Sequence, residues 1–356
     1  MINTLPAIDV RRVQKSRLAA TDLHNLKFGH VFTDHMFVMD YADGAWQQPQ
    51  IMPYGDLEMS PATLVLHYAQ TIFEGMKAYR NGKDGVALFR PQANIARMTR
   101  SAQRMCMPPV PEDLFLDGLK ALVALDSAWL PDGKDGALYI RPFMYASDEY
   151  IGVKASMGYR FIILMSPVRG YYQEPLRVRL EMKYSRAFPG GTGEVKCGGN
   201  YAGGLYPSKV GQDAGYHQNL WTDAMEHKYI EESGTMNVFF MIDGVLTTPS
   251  LDGTILAGIT RDSILTLARE HGLKAEERKV TVEEVVHGIR NGRVTAAFGA
   301  GTAATIAPIK VIGFNGEDLE LPALEADSEV HHLGRMLDEV RRGVVADMHG
   351  WVVKVH

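Results

Sequence analysis

An α+β fold in two domains is predicted from three features of the chain. Strand-like and helix-like segments alternate without the regular βαβ rhythm of a doubly wound sheet. The 356 residues exceed what one small core usually organises. Residues 167–175 read P-V-R-G-Y-Y-Q-E-P, two prolines and a glycine in nine residues where the apolar periodicity stops. That stretch divides the chain into a small N-terminal α/β domain (1–167), a linker (168–178) and a larger C-terminal domain with mixed sheets (179–356).

Each element has its own signal. Residues 32–41 alternate roughly as a strand does, and Asp43-Gly44 is a two-residue hairpin turn. Residues 86–89 form a short strand ended by Arg90-Pro91. Ile95, Met98, Ala102 and Met105 then recur at helical spacing. Pro111 opens a second helix with Phe115, Leu119 and Leu122 on one face. Residues 138–141 and 159–166 read as buried strands. In the second half, residues 237–242 and 245–247 flank the turn Asp243-Gly244 as another hairpin. Thr260 is placed to cap a helix with Ile264, Leu265, Leu267 and Ala268 inward, closed by Gly272. Thr281-x-x-Glu284 is a capping box for a helix ending near Gly292. Residues 294–298 form a strand running into the loop Gly299-Ala300-Gly301-Thr302, and Val330, Leu333, Met336, Leu337 and Val340 stripe a C-terminal helix.

Composition narrows the function. A hydrophobic fraction of 46% and a charged fraction of 22% suit a soluble globular protein. Net charge is −5 and no dense basic run exists, so neither nucleic acid nor an anionic membrane is an expected partner. The longest apolar runs, such as residues 161–165, are strand-sized. Cys106 and Cys197, far apart, form neither a disulfide framework nor a zinc cluster, and the first 26 residues hold no apolar block of signal-peptide length. A cytoplasmic location is the expectation. His331-His332 and Glu226-His227 lack partners at ligand spacing, so no metal site is expected.

The chemistry points to residues 190–201, G-G-T-G-E-V-K-C-G-G-N-Y, where glycines on both sides of Lys196 let the backbone pass close to a planar ligand. Taken alone, such a lysine is more often a solvated surface residue. A P-loop needs Gly-Lys-Ser/Thr, and the chain has Val195-Lys196-Cys197. The run G-A-G-T-A-A (299–304) mimics a dinucleotide fingerprint, but Pro308 follows too soon for the required helix.

The order of several segments is more specific than any one. I-F-E-G-M-K-A-Y (72–79), L-F-R-P (88–91) and N-I-A-R-M (94–98) come first. L-Y-I-R-P (138–142), K-C-G-G-N-Y (196–201) and E-S-G-T-M-N (232–237) follow, then G-I-T-R (258–261) and F-G-A-G-T-A (298–303). In this order and spacing, from about Phe28 to the C-terminal helix, the chain resembles the branched-chain amino acid aminotransferases, fold-type IV pyridoxal-phosphate enzymes.

The resemblance implies transfer of the amino group between leucine, isoleucine or valine and 2-oxoglutarate in a ping-pong reaction, with Lys196 as the Schiff-base lysine and proton carrier. It implies Glu232 facing the ring nitrogen, Tyr201 on the phenolic oxygen, and Arg97, Ile259, Thr260 and Thr302 around the phosphate. Phe28, Tyr68, Phe73, Tyr139, Tyr171 and Thr235 match pocket positions. Arg141 matches the arginine that meets the glutamate side chain, through Tyr68 or Tyr139, and the N–H groups of Thr302 and Ala303 match those that bind the α-carboxylate. A homodimer whose site lies at the domain interface and is completed by the partner chain is also implied. Some animal members carry Cys-x-x-Cys where this chain has Ala304 and Ala307, so no thiol switch is expected there. Two other readings stand beside this one. A D-amino acid aminotransferase or aminodeoxychorismate lyase shares the fold, and a non-enzymatic binding protein has no need of an imine-forming amine.

Overall fold

In a computed structural model, residues 7–83, 85–170 and 174–355 are described. The chain forms two compact units: Met1–Tyr171 with Val195–Gly199 and Val340–His356, and Tyr172–Glu194 with Asn200–Glu339. A single boundary near residues 168–178 therefore does not describe the chain, which returns to the first unit twice. Main-chain hydrogen bonding draws it back. The strand Val352–Lys354 pairs with Gly85–Phe89, and Cys197 bridges Ile72.

The first unit is built on a ten-stranded sheet. Its order is Asp9–Val10, Gln50–Pro53, His35–Ala42, Tyr159–Val168, Ala137–Ala146, Met76–Asn81, Gly85–Phe89 and Val352–Lys354, with Ala45–Trp46 and Thr71–Phe73 paired off this path. Asp43 and Gly44 both take positive φ, as a tight turn between His35–Ala42 and Ala45–Trp46 requires. The helices Pro91–Arg104 and Glu112–Leu125 pack Ile95, Met98, Phe115, Leu119 and Leu122 into one core with Phe37, Leu88 and Phe161.

The strand Ala137–Ala146 runs past the expected end at Arg141, straight through Pro142. Proline lacks an N–H, so it is tolerated where the ladder is interrupted. On one side Thr71–Phe73 pairs with residues 143–145 and Met76–Asn81 with 138–140. Glu74 and Gly75 fall in the gap opposite Pro142, and the Glu74 N–H donates to the Pro142 carbonyl at 2.7 Å. That interruption places a carboxylate inside the unit.

The second unit contains a mixed sheet that closes on itself. Met236–Ile242 is followed around the ring by Val294–Gly301, Thr305–Phe314, Leu176–Glu181, Gln218–Thr222 and Tyr229–Ser233, which pairs back onto Met236–Ile242. Val178, Leu220, Val238, Phe240 and Ile309 belong to its core. The strand expected at 294–298 continues to Gly301, and Pro308 lies in the returning strand Thr305–Phe314, so no helix follows the glycines. Thr281 caps Val282–Arg290 by accepting from the Glu284 N–H, while the Glu284 carboxylate pairs with Arg278. Gly258, not Thr260, is the N-cap of Ile259–Glu270; Thr260 sits buried inside the first turn. The cap must be extended, and a side chain at Gly258 would collide with Asn237 Oδ1.

Candidate active site

In the first unit, Lys196 is fixed by its backbone. Its N–H donates to Ser101 Oγ at 3.1 Å and its carbonyl accepts from the Phe73 N–H at 3.0 Å. The glycines that follow start the short helix Gly198–Gly203, which carries Tyr201. The Lys196 ammonium stands 4.7 Å from the centre of the Phe73 ring, and Arg141 lies over the same ring at 4.7 Å. Both cations are attracted by the quadrupole of that ring. Arg141 Nη2 donates to the Tyr139 hydroxyl at 2.7 Å, and the Tyr139 ring meets Phe28 edge-on at 5.0 Å. Phe28, Phe73, Tyr139, Arg141 and Lys196 are thus one cluster. Tyr68 is 40% exposed with its ring 6.2 Å from that of His67, and of the two tyrosines it is Tyr139 that accepts from Arg141. Tyr171 lies outside the described residues.

Arg97 is the second anchor of this unit. Its Nε and Nη2 donate to the two oxygens of Glu74, each at 2.8 Å, a planar fork-to-fork pair. Glu74 is fully buried and also accepts from Asn94 Nδ2 at 2.8 Å. Burial pushes its carboxyl up, but the Arg97 guanidinium and then Lys196 outweigh this and hold it below the usual carboxylate range. Its folded value is thus below its unfolded one, so its contribution to stability is present above the unfolded value and lost as acid protonates the folded form. Glu74→Ala leaves the guanidinium buried without its counter-charge, an expected loss of about 3–5 kcal/mol in urea denaturation at neutral pH. The variant's midpoint should fall less on acidification than that of the natural chain; equal acid sensitivity counts against the pair.

In the second unit, Glu232 stands on Tyr229–Ser233, directly paired with Asn237 where the ring of strands closes. Its carboxylate is buried, meets Arg186 Nη2 at 2.6 Å and accepts from Asn237 Nδ2 at 3.1 Å. Asn237 also donates to the Leu256 carbonyl at 2.9 Å, tying Glu232 to the loop that leads into Ile259–Glu270. No side chain of its cap residue covers the N-terminal N–H groups of that helix. Free N–H groups and the helix dipole suit an anion there. Thr302 and Ala303 form the turn between Val294–Gly301 and Thr305–Phe314, and Thr235 the turn before Met236–Ile242. Since Asn237 pairs with Ala300, the two turns lie at the same end of the sheet.

Each unit therefore presents a lysine- or carboxylate-centred group of the kind the sequence pointed to. Sequence reasoning missed Glu74, Asn94, Ser101, Arg186 and Asn237. Glu74, Asn94 and Asn237 stand inside quoted motifs, which was their only signal; Ser101 and Arg186 stand in none.

The amino-transferase class IV family model matches residues 71–312. The chain belongs to that family. It is 45% identical to branched-chain-amino-acid aminotransferase 2 of Bacillus subtilis over 338 residues, 94% of this chain and 93% of that one. It is 40% identical to the branched-chain-amino-acid aminotransferase of Mycolicibacterium smegmatis, over 99% and 97% of the two chains. Its fold matches the crystal structure of the branched-chain aminotransferase of Thermoproteus uzoniensis with norvaline, with TM-score 0.74 at 24% identity over 90% and 100% of the chains. It also matches the holo, PLP form from Thermobaculum terrenum, with TM-score 0.71 at 22% identity over 90% and 98%. The aminotransferase is thus of fold-type IV, and family membership implies pyridoxal phosphate. Among the described residues no helix is long and apolar enough to cross a membrane.

Proposed function

We propose that this aminotransferase moves the amino group of L-leucine, L-isoleucine or L-valine to 2-oxoglutarate, giving branched-chain 2-oxo acids and L-glutamate. The observation that carries the reading is the set of charges around Lys196 and Glu232: an amine beside an aromatic face, and a buried carboxylate paired with arginine. These suit pyridoxal phosphate, whose aldehyde and protonated ring, when bound, draw electrons from the substrate Cα.

Each residue has a task this chemistry requires. Lys196 Nζ would hold the cofactor at its aldehyde carbon and would carry the proton to and from the substrate Cα. Glu232 holds the proton at the ring nitrogen. Tyr201 donates to the phenolic oxygen. The first N–H groups at Ile259 and Thr260, the Thr302 hydroxyl and Arg97 bind the phosphate. Phe28, Phe73 and Tyr139 form an apolar wall for a branched side chain, and Arg141 supplies the positive charge that a glutamate side chain needs. The Thr302 and Ala303 N–H groups bind the α-carboxylate. Pairs of keto acid and either enantiomer of leucine or glutamate test the reading. Turnover with L-leucine and 2-oxoglutarate supports it, and turnover confined to D-amino acids ends it. Borohydride reduction followed by peptide mapping should leave the cofactor on the peptide that contains Lys196.

A homodimer is proposed as the working unit. Tyr150, Ile151, Val153 and Met157 crowd four large apolar side chains into one exposed segment, with Val153 at 87% and Met157 at 74% exposure. Such a patch on a soluble chain marks an association surface. Val153→Asp should shift sedimentation toward the monomer and lower activity with it; a natural chain that sediments as a fully active monomer excludes the dimer.

A further inference from the structure

Two glutamates stand side by side on Tyr229–Ser233. The pairing with Gln218–Thr222 shifts register between Ile230 and Ser233, so both glutamates stand at an irregularity of the ladder. Glu231 is 5% exposed. One of its oxygens accepts from Thr254 Oγ1 at 2.5 Å; the other is buried with no hydrogen-bond partner. The carbonyl of that same Thr254 accepts from Arg186 Nη2, the group that meets Glu232 at 2.6 Å. Glu231, Thr254, Arg186 and Glu232 are therefore linked without a break, and every link is buried or nearly so.

We propose that Arg186 and Glu231 are positioning residues for the reaction, with Glu231 acting through Thr254 and Arg186 to set the charge that Glu232 presents to the cofactor's ring nitrogen. The inference rests on the assignment of Glu232 made above. Arg186 is a cationic partner of Glu232, and its one positive charge also acts on Glu231. While Glu231 is neutral, Glu232 has that charge to itself. Once Glu231 ionises, the guanidinium is shared and a second negative charge stands one residue away, so Glu232 holds a ring proton more tightly.

Glu231 has its own route to solvent. It lines a cavity of about 200 Å³, together with Pro189, Asp252, Thr254 and Ile255. A water needs only about 10–15 Å³ of such space. Protons can thus reach Glu231 through that cavity. The charged groups around it are mixed. Burial is the largest influence and raises its carboxyl to about 7; Arg186 opposes this, while Asp252 and Glu232 add to it. Asp223, Glu226 and Lys279 line the same cavity. Lys279 lies over the Tyr229 ring at 4.7 Å, and Asp223 is occupied by backbone N–H groups from Met225 to Tyr229.

The test uses the cofactor-loaded enzyme and the isosteric variant Glu231→Gln, which keeps an acceptor for Thr254. Visible absorption of the bound cofactor is titrated from pH 5.5 to 9. The natural chain should show a component with a midpoint near 7 that Glu231→Gln lacks, leaving only the step that belongs to the cofactor's attachment. Superimposable titrations overturn the proposal. Stability gives a second reading without turnover. A carboxyl raised in the fold contributes stability below its unfolded value and loses it as pH rises through about 7. Thermal midpoints of the natural chain should fall across that interval more than those of Glu231→Gln, and equal falls also count against it. Arg186→Met should lower kcat by roughly tenfold or more with KM changed less than about threefold, since only the reacting state loses support; a change confined to KM overturns the role of Arg186. If Glu232→Gln alters neither spectrum nor kcat, the underlying assignment fails; if it alters both while Glu231→Gln leaves the titration unmoved, only the relay fails.

Discussion

Lys196→Ala is expected to abolish transamination, by more than about 10³-fold, together with the visible absorption of the attached cofactor. The main-chain contacts of Lys196 to Ser101 and Phe73 do not involve its side chain, and the neighbouring Cys197 bridges Ile72. Alanine keeps all of these, so the loss is specific to the amine. What disappears is the ammonium over the Phe73 ring, and with it one of the two cations that hold Glu74 ionised. Circular dichroism melts of the variant should stay close to those of the natural chain while absorbance and turnover vanish. A variant that still turns over leucine with its spectrum intact places the reacting amine elsewhere.

Glu232→Gln is expected to leave cofactor bound but to slow turnover by about 10²-fold or more. The amide fits the same space and still accepts from Asn237 Nδ2, but it has no negative charge to hold a ring proton. Arg186 is then left buried beside a neutral group, which removes a charge-assisted hydrogen bond and leaves a guanidinium only partly compensated. Single-turnover kinetics should place the defect in proton transfer, with substrate binding little changed. Unaltered single-turnover rates would show that no carboxylate is needed at that position.

The elements were legible where a short-range rule governs them. The turns at Asp43-Gly44 and Asp243-Gly244 need positive φ at adjacent positions, and few residue pairs supply it. The stripe of Val330, Leu333, Leu337 and Val340 announced the helix Glu329–Arg341 by its period. The Thr281 cap followed from a hydroxyl three residues before its acceptor-seeking N–H. Two boundaries misled for local reasons of their own. Pro142 reads as a strand end, yet its missing N–H falls where the neighbouring ladder breaks at Glu74 and Gly75. Thr260 is a favoured cap residue, yet the space beside Asn237 admits only a glycine at the cap, at Gly258, two residues earlier than the hydroxyl suggested.

The sequence by itself determined the family and singled out Lys196 as the lysine proposed to react, because a lysine between glycines, followed and preceded by motifs in fixed order, is a pattern written along one dimension. Tertiary structure decided which charges meet. Glu74 finds Arg97 across 23 positions, and Arg186, held by the carbonyls of Gly193 and Thr254, finds Glu232 on a strand far along the chain. Such pairs leave no periodic mark, since the force between two buried charges depends on their distance in space and on the water excluded around them, neither of which the order of residues records.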